Sequence, residues 1–397
     1  MAVPCGLRPG FTSIRCSGFL LVVAATLFTP LLSVAADKIG DAEFSKLHEQ
    51  AENGSLSAQI RLAEMYALGR TGEVNYFEAA RWYRKAADQG DPASQTNLAV
   101  YYLSGRGVAK DEVEAARWFQ RAVAAGFPLA QHDLGIMYLN GWGTEKDPQH
   151  GVDLIMRAAN GGLAVSQFDI ALQYLRGGVL PANPDLGLKW LKKAAHQGLP
   201  SANALLGITY EKGDGTKADL SKALKFYREA SDHGSPIAQN NLARLYMDGR
   251  GVPKDTHEAM RLFRASAQQG NRESYLNMAL CSIKGCDSVV DPISAYAWYL
   301  SAEATGLEIP QAFQDTFTKL SNQFTESQIK KAQADSQSWI AQHPAADPRS
   351  PVMLAHAPGV ATAVNRGTLI INNEVLNPWQ RTLFAQQPRL PDQNSVH

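Results

Sequence analysis

Apolar residues recur with the spacing of amphipathic helices through most of the chain. Residues 78–89 read EAARWYRKAADQ, and in them Ala79, Trp82, Tyr83 and Ala86 follow the i, i+3, i+4, i+7 pattern. Side chains at that spacing share one face of a helix, and polar residues occupy most of the remaining positions. The segment therefore predicts a surface helix with one buried stripe.

The same pattern returns every 36 residues, which indicates an internal repeat. Two series of glycines mark the period: Gly54, Gly90, Gly126, Gly162, Gly198, Gly234, Gly270 and Gly306 in the first, and Gly69, Gly105, Gly141, Gly177, Gly213, Gly249 and Gly285 in the second. The position of Trp82 is held in later units by Trp118, Leu154, Trp190, Phe226, Leu262 and Trp298. One structural unit is therefore used repeatedly.

Each unit contains two helices. Leu62 and Tyr66 lie four residues apart and predict the buried face of a first helix, and the small residue Ala63 between them lets a second helix approach closely. Gly90 ends the second helix, because glycine accepts the left-handed conformation there. Such hairpins cannot bury their stripes alone, so they stack. The sequence predicts an all-α fold, a right-handed α-solenoid of helix-loop-helix repeats, with seven repeats in residues 55–306.

The chain outside the repeats divides into four segments. Residues 37–54 predict a half repeat that caps the start of the solenoid, and residues 307–343 predict two helices that cap its end. Residues 344–397 hold seven prolines and predict a flexible tail. Residues 1–36 contain no acidic residue and an apolar run that ends in small residues, which predicts a secretory signal peptide. No membrane span is then expected after cleavage, and an uncleaved membrane anchor is the alternative.

The charge balance, the histidines and the cysteines limit the classes of function that the chain could have. Lys and Arg total 38 and Asp and Glu total 38, so the net charge is zero, which argues against a dedicated nucleic-acid-binding protein. The nine histidines are scattered without an H-E-x-x-H motif or a Cys/His cluster, so we expect no metal and no cofactor. Cys281 and Cys286 are candidates for a disulfide in an exported protein, and two reduced thiols are the alternative.

Residues 238–270 carry a motif that resembles the Sel-one-like repeat family, a relative of the tetratricopeptide repeat. The matching residues are Ala238, Leu242, Ala243, Tyr246, Gly249, Gly251, Val252, Asp255, Ala259 and Gly270. The resemblance implies an adaptor or assembly platform rather than a catalyst. Exported bacterial members of the family are similar to periplasmic regulators, polysaccharide-secretion scaffolds and host-contact factors. A protein or peptide partner, in the periplasm or outside the cell, is the implied ligand, and an envelope or polysaccharide-secretion assembly is one such partner.

The first helices predict a candidate binding groove by analogy with tetratricopeptide repeats. Its ends carry Glu64 and Arg244, and its centre in repeats 2–5 is apolar: Val100, Ile136, Phe168, Leu172 and Ile208. An exposed apolar strip implies a partner, so we expect a helix or an extended peptide to bind there. The tail segment 369–376, or Trp379, is a second candidate occupant. The alternative is that these side chains pack between successive first helices.

One motif points to catalysis. Ser327-Gln328-Ile329-Lys330 matches the S-x-x-K of serine β-lactamases and penicillin-binding proteins. No K-T-G or S-D-N motif accompanies it, and Thr325 with Gln328 predicts a capping box at a helix start instead. We therefore expect no enzyme. The sequence favours an exported scaffold or regulator that binds a peptide or helix. The alternatives are a cell-envelope hydrolase or β-lactam-binding enzyme, and a purely structural spacer.

Overall fold

The computed structural model describes residues 40–286 and 290–343. In these residues the chain forms seventeen α-helices and no strand. The helices are α1 (Asp41–Glu52), α2 (Leu56–Ala67), α3 (Tyr76–Asp88), α4 (Pro92–Ser104), α5 (Glu112–Ala124), α6 (Pro128–Asn140), α7 (Pro148–Asn160), α8 (Ala164–Arg176), α9 (Pro184–His196), α10 (Pro200–Lys212), α11 (Leu220–Asp232), α12 (Pro236–Asp248), α13 (Thr256–Gln268), α14 (Arg272–Lys284), α15 (Pro292–Ala304), α16 (Gln311–Ser321) and α17 (Glu326–Gln342). The predicted signal peptide (1–36) and Pro-rich tail (344–397) lie outside the described residues.

Seven helix-loop-helix hairpins make up most of this part of the chain. The first helices carry the even numbers from α2 to α14, and each second helix carries the odd number that follows. Each second helix packs against the first helix of its own repeat, and those from α3 to α13 also pack against the first helix of the next. Helix α1 precedes the first hairpin and contacts α2, and α17 contacts α15. The prediction of an all-α solenoid is confirmed, and its right-handed sense stays a prediction.

A side chain caps the start of every second helix. Asp111 Oδ1 accepts hydrogen bonds from the backbone N–H groups of Val113 and Glu114 at 3.0 and 2.9 Å. These N–H groups have no partner inside the helix, so the carboxylate stabilises its first turn. The equivalent caps are Asn75, Asp147, Asn183, Asp219, Asp255 and Asp291. The aspartates that recur with the repeat are therefore helix caps and do not form a carboxylate site.

The loops inside repeats 2 and 3 sit against the second helix of the repeat before them. Gly107 has φ of 68°, and a Cβ on this residue would lie 2.0 Å from the carbonyl oxygen of Tyr76 at the start of α3. Gly143 stands in the same relation to Glu112 at the start of α5, again at 2.0 Å. We call this contact the loop seat. Only glycine fits it, because the backbone is left-handed and no side chain has room.

The two kinds of helix are buried to different extents. Every residue from Pro200 to Tyr210 in the first helix α10 is buried. The second helix α11 buries one stripe, formed by Ala223, Leu224, Tyr227 and Ala230. First helices also contact each other, as α10 contacts α12 and α12 contacts α14. The first helices therefore form an inner layer, and the second helices form an outer layer with one solvated face.

Buried glutamines join three helices at the repeat boundaries. Gln59 Nε2 donates to the carbonyl of Ala51 on α1 at 3.0 Å, and its Oε1 accepts from Gln89 at the end of α3 at 2.7 Å. The same two bonds recur in repeat 4 among Gln167, Ala159 and Gln197, at 3.2 and 2.8 Å. A buried amide with both partners satisfied fixes the spacing of the helices around it.

Candidate partner-binding surface

The five apolar residues expected to line a groove are buried. Their exposed fractions are 6% for Val100, 6% for Ile136, 2% for Phe168, 0% for Leu172 and 6% for Ile208. All five belong to the hydrophobic core. The prediction that they form an exposed apolar strip is wrong, because the inner layer packs closely enough to cover them. The alternative, packing between successive first helices, describes the structure. The tail residues 369–376 and Trp379 lie outside the described residues.

Small residues explain how closely the helices approach. A Cβ on Gly135 of α6 would lie 2.7 Å from the carbonyl oxygen of Gly151, and a Cβ on Gly151 of α7 would lie 2.7 Å from the carbonyl oxygen of Gly135. Most other repeats have alanine at the position of Gly151. The two backbones of repeat 3 are therefore in direct contact, and side chains near them have little access to solvent.

A row of polar residues on the first helices is buried as well. In five of the seven repeats its members lie one position before the central apolar residue: Asn97, Asp133, Asp169, Asn241 and Asn277. Asn277 Nδ2 on α14 donates to Asn240 Oδ1 on α12 at 2.8 Å, and the same oxygen accepts from Ser274 Oγ at 3.0 Å. These bonds cross a repeat boundary. In repeats 6 and 7 the row therefore braces neighbouring first helices.

A serine, a histidine and an aspartate meet at the boundary of repeats 3 and 4. His132 Nδ1 lies 3.0 Å from Ser166 Oγ, and His132 Nε2 lies 3.8 Å from Asp169 Oδ2. Ser166 is 0% exposed, so a substrate cannot reach its hydroxyl. Nucleophilic catalysis requires an accessible serine beside its base. The group therefore serves packing and polar bracing.

One ionic cluster on the inner layer is accessible. Glu211 Oε1 at the end of α10 lies 3.2 Å from Arg244 Nη2 and 2.9 Å from Arg250 Nη1, and Glu211 Oε2 accepts from the Tyr227 hydroxyl at 2.9 Å. The side chains of Arg244 and Arg250 are 24% and 46% exposed. Burial, and then Glu211, raise the pKa of the Tyr227 phenol, so it stays a proton donor. We call these four residues the Glu211 cluster.

The cluster carries one net positive charge, because two guanidinium groups face one carboxylate. Arg244 was expected at the end of the groove, whereas Glu211 was not among the expected residues. The signal was present in the repeat, since the three preceding units have leucine at its position: Leu103, Leu139 and Leu175. A carboxylate that interrupts an apolar series needs a partner of opposite charge, and the two arginines provide it.

The S-x-x-K motif lies at the start of α17. The Thr325 side chain accepts from Gln328 N at 3.3 Å, and Gln328 Oε1 accepts from Thr325 N at 2.8 Å. This is the predicted capping box. Lys330 Nζ donates to Glu326 Oε1 at 2.6 Å, and Ser327 is exposed at the helix surface. The motif therefore has a structural role as a helix start.

Cys281 and Cys286 form a disulfide across the end of α14, with an S–S distance of 2.04 Å. Thr256 Oγ1 at the start of α13 donates to the carbonyl of Cys286 at 2.7 Å. The bridge thus joins the last turn of α14 to the start of the loop of repeat 7, and the Thr256 hydrogen bond ties Cys286 to repeat 6. Among residues 40–286 and 290–343, no group of three His, Cys, Asp or Glu side chains could hold a metal ion. None of the helices in that part of the chain is long and apolar enough to cross a membrane.

The chain is similar to Sel1 repeat proteins of solved structure. One from Oxalobacter formigenes is 30% identical, over 70% of this chain and 80% of that chain, with a TM-score of 0.54. A protective antigen present in uropathogenic Escherichia coli strains, displaying an SLR fold, is 23% identical over 84% of this chain and 75% of that chain, with a TM-score of 0.48. No curated protein matches the chain.

The Sel1 repeat model matches seven consecutive stretches that together run through most of the solenoid. They are residues 56–91, 92–127, 128–163, 164–199, 200–235, 236–271 and 272–304. Their boundaries fall at the tight turns between hairpins, so each stretch is one first helix, its loop and its second helix. The chain belongs to the Sel1 repeat family.

Proposed function

We propose that the protein is an exported scaffold or regulator that holds a peptide or helix of a partner protein at its first helices. One observation carries this proposal. Seven consecutive Sel1 repeats form a continuous solenoid, and proteins of this family are generally protein–protein interaction scaffolds. A stacked array presents a long surface with recurring positions, which suits recognition of an extended partner.

The Glu211 cluster is the contact site that we assign to the partner. The apolar residues of the inner layer are covered, so a partner must first meet the accessible polar groups. Arg244 and Arg250 are partly exposed and share one carboxylate. Guanidinium groups bind carboxylates with charge-assisted hydrogen bonds. An acidic side chain or a carboxyl terminus of the partner would therefore bind beside Glu211 and neutralise the remaining charge.

Export is the second part of the proposal. The disulfide between Cys281 and Cys286 supports it, because such bonds persist in oxidising compartments. The acid-free, apolar residues 1–36 support it as well. A reporter that is active only outside the cytoplasm, fused after Ala36, should be active in the native cell. Cytoplasmic retention of the fusion would remove this part of the proposal.

A matched pair of variants tests the contact site. Arg250 and Arg106 occupy the same G-R-G position in repeats 6 and 2, but Arg250 pairs with Glu211 while the Arg106 guanidinium lies over the ring of Tyr76 at 5.4 Å. Protein tagged in its native cells should capture a partner from the envelope fraction. We expect Arg250→Ala to weaken capture and Arg106→Ala to leave it unchanged. Equal capture by both variants would contradict the assigned site.

A third variant separates a scaffold from an enzyme. Ser327→Ala removes the hydroxyl of the S-x-x-K motif and leaves Thr325 and Gln328 to cap α17. We expect partner capture and the cellular phenotype of the wild type to persist. Loss of the phenotype with unchanged far-ultraviolet circular dichroism would support an enzyme. Unimpaired phenotype in all three variants, with no captured partner, would support a structural spacer.

A further inference from the structure

The outer layer of repeats 2–4 presents exposed basic side chains along three successive helices. They lie on the last two turns of α5, α7 and α9. Where one helix carries several of them, they are three or four residues apart and therefore share a face of that helix. We call them the basic outer face: Arg117, Arg121, Arg157, Lys189, Lys192 and Lys193. Arg121, Arg157 and Lys193 recur at intervals of 36 residues, which places them at equivalent positions on consecutive outer helices.

In repeat 1 the corresponding basic pair is neutralised by the helix before it. Glu52 at the end of α1 accepts from Lys85 Nζ at 2.6 Å and from Arg81 Nη2 at 3.2 Å. The last turn of one outer helix therefore reaches the basic positions of the next. The residue equivalent to Glu52 is Asp88 on α3, Ala124 on α5 and Asn160 on α7. An acid therefore precedes the basic pair of repeat 2, whereas repeats 3 and 4 lack it. Repeat 4 keeps both basic residues, Lys189 and Lys193, and repeat 3 keeps Arg157 with Asp153 at the other position.

Few carboxylates on these three helices offset the face. Glu114 pairs with Arg117 at 3.2 Å, and Glu112 pairs with Lys110 at 2.9 Å. Asp153 accepts from Gln149 at 3.2 Å, and Asp185 lies in the first turn of α9. Only Asp153 falls within the last two turns. The charges are therefore segregated along the helices, although the whole chain is neutral.

The basic outer face has little exposed apolar area, with Val113 one turn before Arg117 as its large exposed apolar neighbour. The guanidinium carbon of Arg121 lies 4.3 Å from the ring centre of Trp118, and Lys193 Nζ lies 3.9 Å from the ring centre of Trp190, so both indoles lie beneath cations. A specific protein interface normally has an aromatic or aliphatic centre that becomes buried. A surface in which cations predominate suits a partner whose negative charge is spread over a plane.

We propose that the basic outer face docks the protein on an anionic phospholipid surface by contacts with the headgroup phosphates. Each lysine or arginine near such a surface adds attraction, and the effect fades within a Debye length. The cations lie on neighbouring helices and act together, with Arg117 offset by its pair with Glu114. The face lies on the second helices of repeats 2–4. The Glu211 cluster lies on α10, α11, α12 and the loop that follows α12, in repeats 5 and 6. Docking therefore does not depend on the proposed partner site.

Vesicle sedimentation tests the proposal with protein purified from the native cells. Wild-type protein should sediment with vesicles that mix phosphatidylglycerol with phosphatidylcholine and should remain in solution with phosphatidylcholine alone. Replacing Lys189, Lys192 and Lys193 together by glutamine should lower the partition coefficient about 100-fold, since each residue contributes about fivefold. The matched control replaces Lys319, Lys330 and Lys331 on the capping helices by glutamine and should bind like the wild type. Arg157→Gln changes one exposed residue and should lower the partition coefficient by a smaller factor.

Several results would overturn this assignment. Equal binding to both kinds of vesicle, or equal losses in the two triple variants, would show that the face does not recognise a charged surface. Displacement by inorganic phosphate would show an isolated phosphate site in place of a lipid surface. Binding of heparin or duplex DNA without binding of vesicles would assign the face to an acidic polymer. Binding that persists in about 1 M salt, where the Debye length is about 3 Å, would exclude an electrostatic contact.

Discussion

Alanine at Gly107 should cost far more stability than alanine at Gly105, two residues earlier. Both residues have φ of 68°, so each variant forces a side chain into the left-handed region at a cost of about 1–2 kcal/mol. A Cβ at Gly105 would meet Lys110 Cβ at 3.4 Å, which is an ordinary contact. A Cβ at Gly107 would lie 2.0 Å from the carbonyl oxygen of Tyr76, so the loop must leave its seat.

The seat adds an overpacking cost to the backbone cost. Forced displacements of this kind destabilise by about 1–3 kcal/mol. Gly107→Ala should therefore lose about 2–5 kcal/mol, and Gly105→Ala about 1–2 kcal/mol. Urea unfolding followed by far-ultraviolet circular dichroism measures the difference as a shift in midpoint at constant slope. Equal midpoints for the two variants would refute the loop seat as a source of stability.

Three further predictions concern the buried side chains and the disulfide. Leu172→Glu should unfold the protein, because this side chain is 0% exposed. A variant that is folded by circular dichroism would show that Leu172 lies at the surface. Serine at both Cys281 and Cys286 should lower stability by about 2 kcal/mol on the chain-entropy relation, and an unchanged urea midpoint would contradict this. Burial raises the pKa of Tyr83 and Tyr227, so above about pH 10 the unfolded chain loses protons that the folded protein keeps. Stability should be level below that pH and fall above it, and a constant urea midpoint from about pH 9 to 11 would disprove it.

The sequence was sufficient for the repeat because the relevant signals are local. Gly105 ends α4 in the left-handed conformation. Asp111 caps α5 by accepting hydrogen bonds from backbone N–H groups two and three residues later in the chain. Each signal acts through backbone groups of its own turn, so its effect does not depend on distant packing. The period of 36 residues then applied the same local reasoning to every unit.

The binding surface was not predictable in the same way, because it depends on distances between helices. Periodicity assigned Leu172 to a face of α8, but it did not show how near the adjacent helices lie. Backbone contacts such as that between Gly135 and Gly151 set those distances. The basic outer face was likewise not predictable from the net charge of zero, because a net charge does not show where acidic and basic residues lie along a helix. Glu211 could have been found as a break in a leucine series.

The loop seat gives the first three repeats a direction of assembly. The seats of repeats 2 and 3 are each provided by the repeat that precedes them in the chain: the start of α3 receives the loop of Gly107, and the start of α5 receives the loop of Gly143. A polypeptide that emerges amino end first, from a ribosome or a translocation channel, therefore finds these two docking positions already formed. In the first repeat Thr71 stands at the position of Gly107. Over repeats 1 to 3, growth can thus proceed one hairpin at a time, with each finished unit serving as the template for its successor.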